Sequence, residues 1–165
     1  MLKVIVMGVA GCGKSSVGQA VAARLGAQYF DGDDLHPQSN IDKMAAGTPL
    51  NDTDRAPWLD KVGMALAEAT EPTLIGCSAL KRAYRNRIRA ACPQTQFAHL
   101  MGDRAVIEGR MSARSGHFMP VSLLDSQFAT LEPLQANEAG FAVDIAQDLD
   151  AVVQQMIACL SYPNS

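Results

Sequence analysis

Short runs rich in apolar residues alternate with helical patterns along this chain. Strands of a parallel sheet, which are buried on both faces, are typically such runs. The predicted strands are residues 2–7, 28–31, 73–77, 96–101 and 141–144. Helical spacing of apolar side chains predicts helices near 16–25, 40–47, 55–70, 81–91, 104–114, 122–132 and 149–160. The alternation predicts an α/β fold, a five-stranded parallel sheet with helices on both faces.

A glycine-rich segment joins the first predicted strand to the first predicted helix. Residues 8–15 read GVAGCGKS, which fits the pattern G-x-x-x-x-G-K-[ST]. Glycines let successive backbone N–H groups surround a phosphate chain, and the helix N-terminus adds partial positive charge. Lys14 would reach the β- and γ-phosphates of ATP, and the Ser15 hydroxyl would hold Mg²⁺. The predicted nucleotide contacts in this loop are Gly8, Val9, Ala10, Gly11, Cys12, Gly13, Lys14, Ser15 and Ser16.

Length and composition fit one globular domain spanning residues 1–165. The net charge of −3 gives no overall attraction for nucleic acid or an anionic membrane. No apolar run approaches the ~20 residues that a membrane-spanning helix needs. The four cysteines lack zinc-binding or C-x-x-C spacing, and Cys12 lies inside the glycine-rich loop. Reduced thiols and a cytoplasmic location are therefore expected.

Three classes of phosphate-loop protein compete: small-molecule kinases, GTPase switches and motor-type ATPases. A GTPase needs a guanine-reading N-K-x-D segment, which this sequence lacks. A motor-type ATPase needs a carboxylate after an apolar strand, but the third predicted strand runs into Gly76-Cys77-Ser78. Carboxylates instead follow the second strand, as Asp31 and Asp33. In a small kinase Asp33 would orient and deprotonate the acceptor hydroxyl, and Asp31 would support the metal or its waters. A solvated turn is the structural alternative for both.

Four segments of the chain resemble the gluconokinase family, ATP-dependent D-gluconate kinases among the phosphate-loop kinases that include shikimate kinase. They are residues 31–37 (DGDDLHP), 40–59 (NIDKMAAGTPLNDTDRAPWL), 77–85 (CSALKRAYR) and 110–118 (RMSARSGHF). The resemblance covers residues 2 to about 150. It implies a P-loop kinase fold, a mobile lid near 110–122, ATP and Mg²⁺, a homodimer, and phosphorylation of D-gluconate to 6-phospho-D-gluconate. A kinase for another small acid, such as shikimate, and a nucleotide-binding regulatory protein are the alternatives.

Gluconate carries one carboxylate and five hydroxyls, so its site needs cations together with other hydrogen-bonding groups. The resemblance makes Arg55 a substrate ligand, whereas a surface ion pair with Asp52 or Asp54 is the alternative. His36 either hydrogen-bonds a substrate hydroxyl or holds a turn. The expected substrate contacts are Asp33, His36, Arg55, Ser78, Lys81, Arg85 and His117.

Lys81 and Arg85 are four residues apart in a predicted helix, and so share one of its faces. They either meet an anion or belong to a solvated face.

Arg110 and Arg114 precede Gly116-His117-Phe118, a segment that resembles the lid of small kinases. Such a lid closes over ATP, excludes water and neutralises the transferring phosphoryl group. Arg114 is assigned to phosphate, and Arg110 to phosphate or the base; cations favoured at a helix end are the alternative. The resemblance to small kinases also implies that adenine contacts the backbone near the last strand, here around 144–147. The predicted catalytic residues are Lys14, Asp33 and Arg114.

Overall fold

All five predicted strands lie in one parallel sheet. The computed structural model describes residues 1–112 and 121–161. The strands are β1 (Lys3–Met7), β2 (Gln28–Asp31), β3 (Thr73–Gly76), β4 (Gln96–Met101) and β5 (Gly140–Asp144), in the order β2-β3-β1-β4-β5. Every neighbouring pair runs parallel. The predicted sheet is therefore confirmed.

Seven α-helices and one 3₁₀ turn connect and cover the strands in the described ranges. The helices are α1 (Lys14–Leu25), α2 (Gln38–Ala45), α3 (Asp52–Glu68), α4 (Arg82–Ala91), α5 (Arg104–Ser112), α6 (Val121–Thr130) and α7 (Leu149–Ser161). The 3₁₀ turn spans Gly32–Leu35 and lies between β2 and α2, where the sequence pattern predicts no helix. None of the helices described here is long and apolar enough to cross a membrane.

The central strand β1 explains why the apolar runs carry no alternating pattern. Its residues 4–7 have no exposed surface. Val4 and Val6 pack in the cluster that contains α1 and α7, whereas Ile5 and Met7 pack in the cluster that contains α3 and α4. Because both faces of the sheet are covered, both sets of side chains must be apolar.

Helix α3 begins at a capping box. The Asn51 side-chain oxygen accepts a hydrogen bond from the Asp54 N–H at 2.8 Å, and the Asp54 carboxylate accepts one from the Asn51 N–H at 2.9 Å. These bonds satisfy backbone donors that the first turn of a helix leaves unpaired. The helix therefore starts at Asp52, three residues before the predicted start, and Arg55 lies within its first two turns.

The predicted lid falls largely outside the described residues. Arg114 and His117 belong to the undescribed segment 113–120, so their assignments remain predictions. Helix α5 carries Arg110, and α6 follows the undescribed segment.

Candidate active site

The strand order brings three loops together at one edge of the sheet. Parallel strands end at the same edge, and β3 lies between β2 and β1. Gly76 is in register with Val6 on one side and with Asp31 on the other. The phosphate loop, the 3₁₀ turn and the segment after β3 therefore adjoin, at the edge where open α/β sheets bind ligands.

The phosphate loop keeps a conformation that requires glycine. Gly8 has φ of 151°, and a Cβ there would lie 2.6 Å from the Cys12 sulfur. Gly13 precedes α1 in the left-handed region, with φ of 97°. The Lys14 ammonium donates to the carbonyl oxygens of Gly8 at 3.0 Å and Val9 at 3.2 Å. The lysine thus lies over the loop whose amides would bind phosphate.

Two residues that the sequence analysis does not identify contact the same loop. The Gln127 side-chain oxygen, on α6, accepts a hydrogen bond from the Ala10 N–H at 3.1 Å. The Tyr29 hydroxyl, on β2, donates to the Ser15 hydroxyl at 3.5 Å. Both residues are distant in sequence from their partners. A single polar residue on a helix or an edge strand belongs to no recognisable motif, so the sequence gives no signal for either contact.

Asp31 and Asp33 occupy the turn that follows β2. The Asp31 carboxylate accepts a hydrogen bond from the Asp33 N–H at 2.9 Å and so caps the 3₁₀ turn. The Asp33 side chain keeps 78% of its surface exposed. Partial desolvation by the surrounding protein, followed by the charge of Asp31, nevertheless raises the pKa of the Asp33 carboxyl; the charges of His36 and Lys14 oppose that rise. A raised pKa suits a general base.

His36 lies beside Asp33 in a nearly closed environment. Only 6% of its side-chain surface is exposed, and its ring stacks on Trp58 with centroids 4.2 Å apart. Its Nε2 lies 3.8 Å from Asp33 Oδ1, and its Nδ1 lies 3.2 Å from Asn40 Nδ2. Burial lowers the pKa of His36, helped by the charge of Arg55 and opposed by that of Asp33.

Arg55 and Lys81 meet around the ring of Tyr84. The Arg55 guanidinium carbon lies 5.6 Å from the ring centroid, and Lys81 Nζ lies 5.5 Å from it. Arg55 also donates to the Tyr84 hydroxyl at 3.3 Å. The structure therefore brings two of the predicted substrate cations into one cluster, although 29 residues separate Arg55 from Tyr84 in the chain.

Asp52 neutralises part of this cation cluster. Its carboxylate accepts a hydrogen bond from the Tyr84 hydroxyl at 2.5 Å and from Lys81 at 3.4 Å, and lies 3.7 Å from Arg55. The ion pair that the sequence offers as the alternative for Arg55 is thus present with Asp52. Since the Asp52 side chain is 64% exposed, solvent screens the ion pair and makes it weak. The carboxylate of a ligand can compete with it.

The assignment of Arg85 as a substrate contact needs correction, because its side chain is buried in the core. Its side chain has no exposed surface, and its guanidinium donates to both carboxylate oxygens of Glu138, at 2.8 and 2.9 Å. Helix α4 begins at Arg82, so Lys81 is its N-cap and has an extended backbone. The four-residue helical spacing therefore does not place Lys81 and Arg85 on one face.

The buried Arg85 supports the loop that carries Ser78. It donates to the carbonyl oxygens of Ala79 at 3.0 Å and Leu80 at 3.2 Å. Ala79 has φ of 44°, a left-handed conformation that an alanine adopts only when its surroundings hold it there. The Ser78 carbonyl oxygen in turn accepts a hydrogen bond from the Gly8 N–H at 3.3 Å. The segment after β3 is thus tied to the phosphate loop.

Arg110 reaches the backbone that follows β5. Its guanidinium donates to the carbonyl oxygens of Ile145 and Gln147. A cavity of about 620 Å³ lies in this region, and Val9 of the phosphate loop is part of its wall. Its other walls include Gly102, Asp103, Val106, Asp144 and Ala146. The volume lies within the range of small-molecule and cofactor sites.

Comparisons with family models, curated proteins and solved structures all match this chain to small-molecule kinases. Residues 10–158 match the family model of shikimate kinase. The thermosensitive gluconokinase of Escherichia coli (strain K12) is 48% identical over 92% of this chain and 83% of its own length. The thermoresistant gluconokinase of the same organism is 46% identical over 93% and 90%. A crystal structure of a gluconokinase from Sinorhizobium meliloti 1021 superimposes with a TM-score of 0.89 at 46% identity, covering 97% of this chain and 91% of that one.

Proposed function

Because this chain belongs to the gluconokinase family, we propose that it transfers the γ-phosphoryl group of ATP to the 6-hydroxyl of D-gluconate, giving 6-phospho-D-gluconate and ADP. The relatives confirm the resemblance stated from the sequence and an ATP-dependent kinase activity. Identity of 46–48% over most of the chain favours gluconate as the acceptor over shikimate.

The observation that carries the proposal is the position of Asp33 in the turn after β2, at the sheet edge where the phosphate loop also lies. The charge of Lys14, in the phosphate loop, acts on the Asp33 carboxyl. Asp33 also neighbours His36, whose Nε2 lies 3.8 Å from Asp33 Oδ1, and the charge of Arg55 acts on that ring. A carboxylate close to a phosphate loop and near cations that suit an anionic acceptor is the arrangement that phosphoryl transfer to a sugar acid needs.

We assign each side chain of the site a role that its chemistry permits. Asp33 orients the 6-hydroxyl and accepts its proton as the bond to phosphorus forms. Lys14 neutralises charge on the transferring group. Arg55 and Lys81 bind the gluconate carboxylate, and Tyr84 holds both cations in place. Ser78 faces the acceptor from the segment that joins the phosphate loop.

The phosphate loop and the residues near it bind the nucleotide and its metal ion in this proposal. The amides of residues 8–16 bind the phosphates, and adenine occupies the cavity beside the 144–147 backbone, which Arg110 contacts. The Ser15 hydroxyl and, through water, the Asp31 carboxylate are hard oxygen donors of the kind Mg²⁺ prefers. Mg²⁺ bound with ATP would supply charge neutralisation on the phosphates. Arg114 and His117 lie outside the described residues, and their assignments to phosphate and to the substrate rest on the family resemblance.

The assembly and location are part of the same proposal. The family resemblance supports a homodimer, and the free thiols of Cys12, Cys77, Cys92 and Cys159 are compatible with a reducing cytoplasm. Sedimentation equilibrium of the purified chain distinguishes a dimer from a monomer.

A coupled ADP-release assay tests the reaction. Mg·ATP is supplied with gluconate, another aldonate, shikimate, glycerate or no acceptor. We expect strong turnover with gluconate alone. Turnover on another acid would support kinase activity but would contradict gluconate as the acceptor. Release without an acceptor, or none despite ATP binding, would indicate an ATPase or a nucleotide-binding regulatory protein.

A further inference from the structure

The side-chain amide of Asn40 has only one possible orientation. Asn40 is 3% exposed, and its Nδ2 lies 3.0 Å from the Asp54 carbonyl oxygen. A carbonyl oxygen can only accept a hydrogen bond, so the amide nitrogen, and not the amide oxygen, must face it. The same nitrogen lies 3.2 Å from His36 Nδ1. Its two N–H groups thus serve two acceptors.

This orientation determines which nitrogen of the His36 ring carries the proton. Asn40 Nδ2 is only a donor, so His36 Nδ1 must accept and cannot itself be protonated. Burial lowers the pKa of His36, which keeps the ring neutral near pH 7. A neutral ring has one N–H, which in this environment is at Nε2.

The protonated nitrogen faces Asp33. His36 Nε2 lies 3.8 Å from Asp33 Oδ1, and the carboxylate, which is 78% exposed, is free to turn and close that distance. The ring itself is fixed, because it stacks on Trp58 at an interplanar angle of 15°. Trp58 Nε1 also donates to the carbonyl oxygen of Gly32, the residue before Asp33, at 2.8 Å. Trp58 therefore contacts both the His36 ring and the backbone that leads into Asp33.

We infer that His36 is a positioning residue for Asp33, with its Nε2–H, fixed by Asn40, holding one carboxylate oxygen so that the other faces the acceptor hydroxyl. The inference rests on the proposed function and deepens it. His36 has a single N–H, so it cannot donate to Asp33 and to a substrate hydroxyl at once. It also has no free lone pair, since Asn40 occupies that of Nδ1. The proton of the acceptor hydroxyl therefore passes to Asp33.

The tautomer is measured first, on the full-length wild-type chain. Long-range ¹H–¹⁵N correlation spectra distinguish a protonated from an unprotonated ring nitrogen, and the chain has only three histidines to assign. We expect Nε2 protonated and Nδ1 unprotonated in His36. The opposite tautomer, or a doubly protonated ring at pH 7, overturns the inference. This result does not depend on which acceptor the enzyme uses.

A matched pair of variants then tests positioning. In His36→Gln the side-chain amide can place an N–H near the Nε2 position, whereas in His36→Asn it reaches only the Nδ1 position. Both variants lose the ring stacked on Trp58, so a loss of packing is common to both. With the acceptor that the ADP-release panel identifies, we expect kcat of His36→Asn to fall at least about tenfold below that of His36→Gln.

Substrate affinity separates positioning from direct binding. We expect the KM for the acceptor to differ by less than about threefold between the two variants, because His36 acts on Asp33 and not on the substrate. Equal kcat values, or a difference confined to KM, overturn the inference. If the wild type turns over an acid other than gluconate, the proposed substrate fails while the variant comparison still decides the role of His36. If no acceptor gives turnover, the proposed function and the positioning role both fail.

Discussion

Arg85 and Glu138 form a bidentate ion pair in which neither side chain has any exposed surface. Arg89 also donates to Glu138, at 2.7 Å, and the Gln135 N–H donates to its second oxygen at 2.9 Å. Because Arg85 simultaneously holds the carbonyl oxygens of Ala79 and Leu80, the pair connects α4 to the loop beside the phosphate site. The stability of the fold and the shape of the site therefore depend on the same carboxylate.

Replacing Glu138 by Gln should strongly destabilise the chain. A buried guanidinium without its carboxylate costs about 3–5 kcal/mol, and we expect a loss of that size in the free energy of unfolding. Asp60→Asn is the control, since Asp60 pairs with Arg87 at 2.7 Å but is 45% exposed. That variant should lose much less stability, because solvent screens the exposed pair. Urea denaturation measures both, and equal losses would contradict the structural role of the buried pair.

The same carboxylate should make stability depend on pH in the acid range. Burial alone would raise the pKa of Glu138, but hydrogen bonds from Arg85, from the Gln135 backbone and from Arg89 outweigh it and lower the pKa from 4.5 to about 2. Its contribution is complete above pH 4.5 and is lost as the pH falls towards 2. The difference in stability between wild type and Glu138→Gln should therefore narrow over that window. A constant difference would contradict the lowered pKa.

The sequence predicts the sheet well because strand burial is a local signal. Residues 4–7 and 73–76 are buried on both faces, so their apolar runs suffice to predict β1 and β3. The Asp33–His36 contact is also local, since a turn brings together residues three apart. Buried strands and contacts within a single turn can therefore be predicted from the sequence alone.

The sequence-based prediction is wrong or incomplete where contacting residues are distant in sequence, or where a helix begins at a residue other than the predicted one. Glu138 is 53 residues from Arg85, and no pattern pairs them. Arg85 appears beside Lys81 only if both are helical, yet the helix starts after Lys81. Gln127 reaches Ala10 across 117 residues. Such contacts depend on tertiary packing, which periodicity does not encode.

Lys14→Ala and Asp33→Asn should each lower kcat at least about tenfold, equivalent to ~1.4 kcal/mol of barrier. Lys14 loses the charge that the transferring group needs, and Asp33 loses its capacity to accept a proton. Asp34→Asn is the matched control, because Asp34 is an exposed carboxylate in the same turn. Steady-state ADP release measures all three. Near-wild-type turnover of folded Asp33→Asn would remove its assignment as the base.

Asp31→Asn should move the acid limb of the kcat/KM profile to lower pH. After desolvation, the charge of Asp31 is the next largest cause of the raised pKa of Asp33. Removing that charge lowers the pKa, so the base stays ionised at lower pH. Asparagine keeps the oxygen that caps the Asp33 N–H, so the turn should persist. An unchanged or upward-shifted limb would contradict the coupling of the two carboxylates.

Arg55→Met should raise the KM for gluconate at least about tenfold and leave the KM for ATP within about twofold. Methionine retains much of the aliphatic length of arginine but cannot form a charge-assisted hydrogen bond to a carboxylate. The control is Arg87→Met, which removes an exposed arginine that is paired with Asp60. Initial rates at varied gluconate and fixed saturating ATP separate the two constants. If the KM for ATP rises instead, the cation cluster around Tyr84 serves the nucleotide; if neither constant changes, Arg55 is held by Asp52 for structural reasons alone.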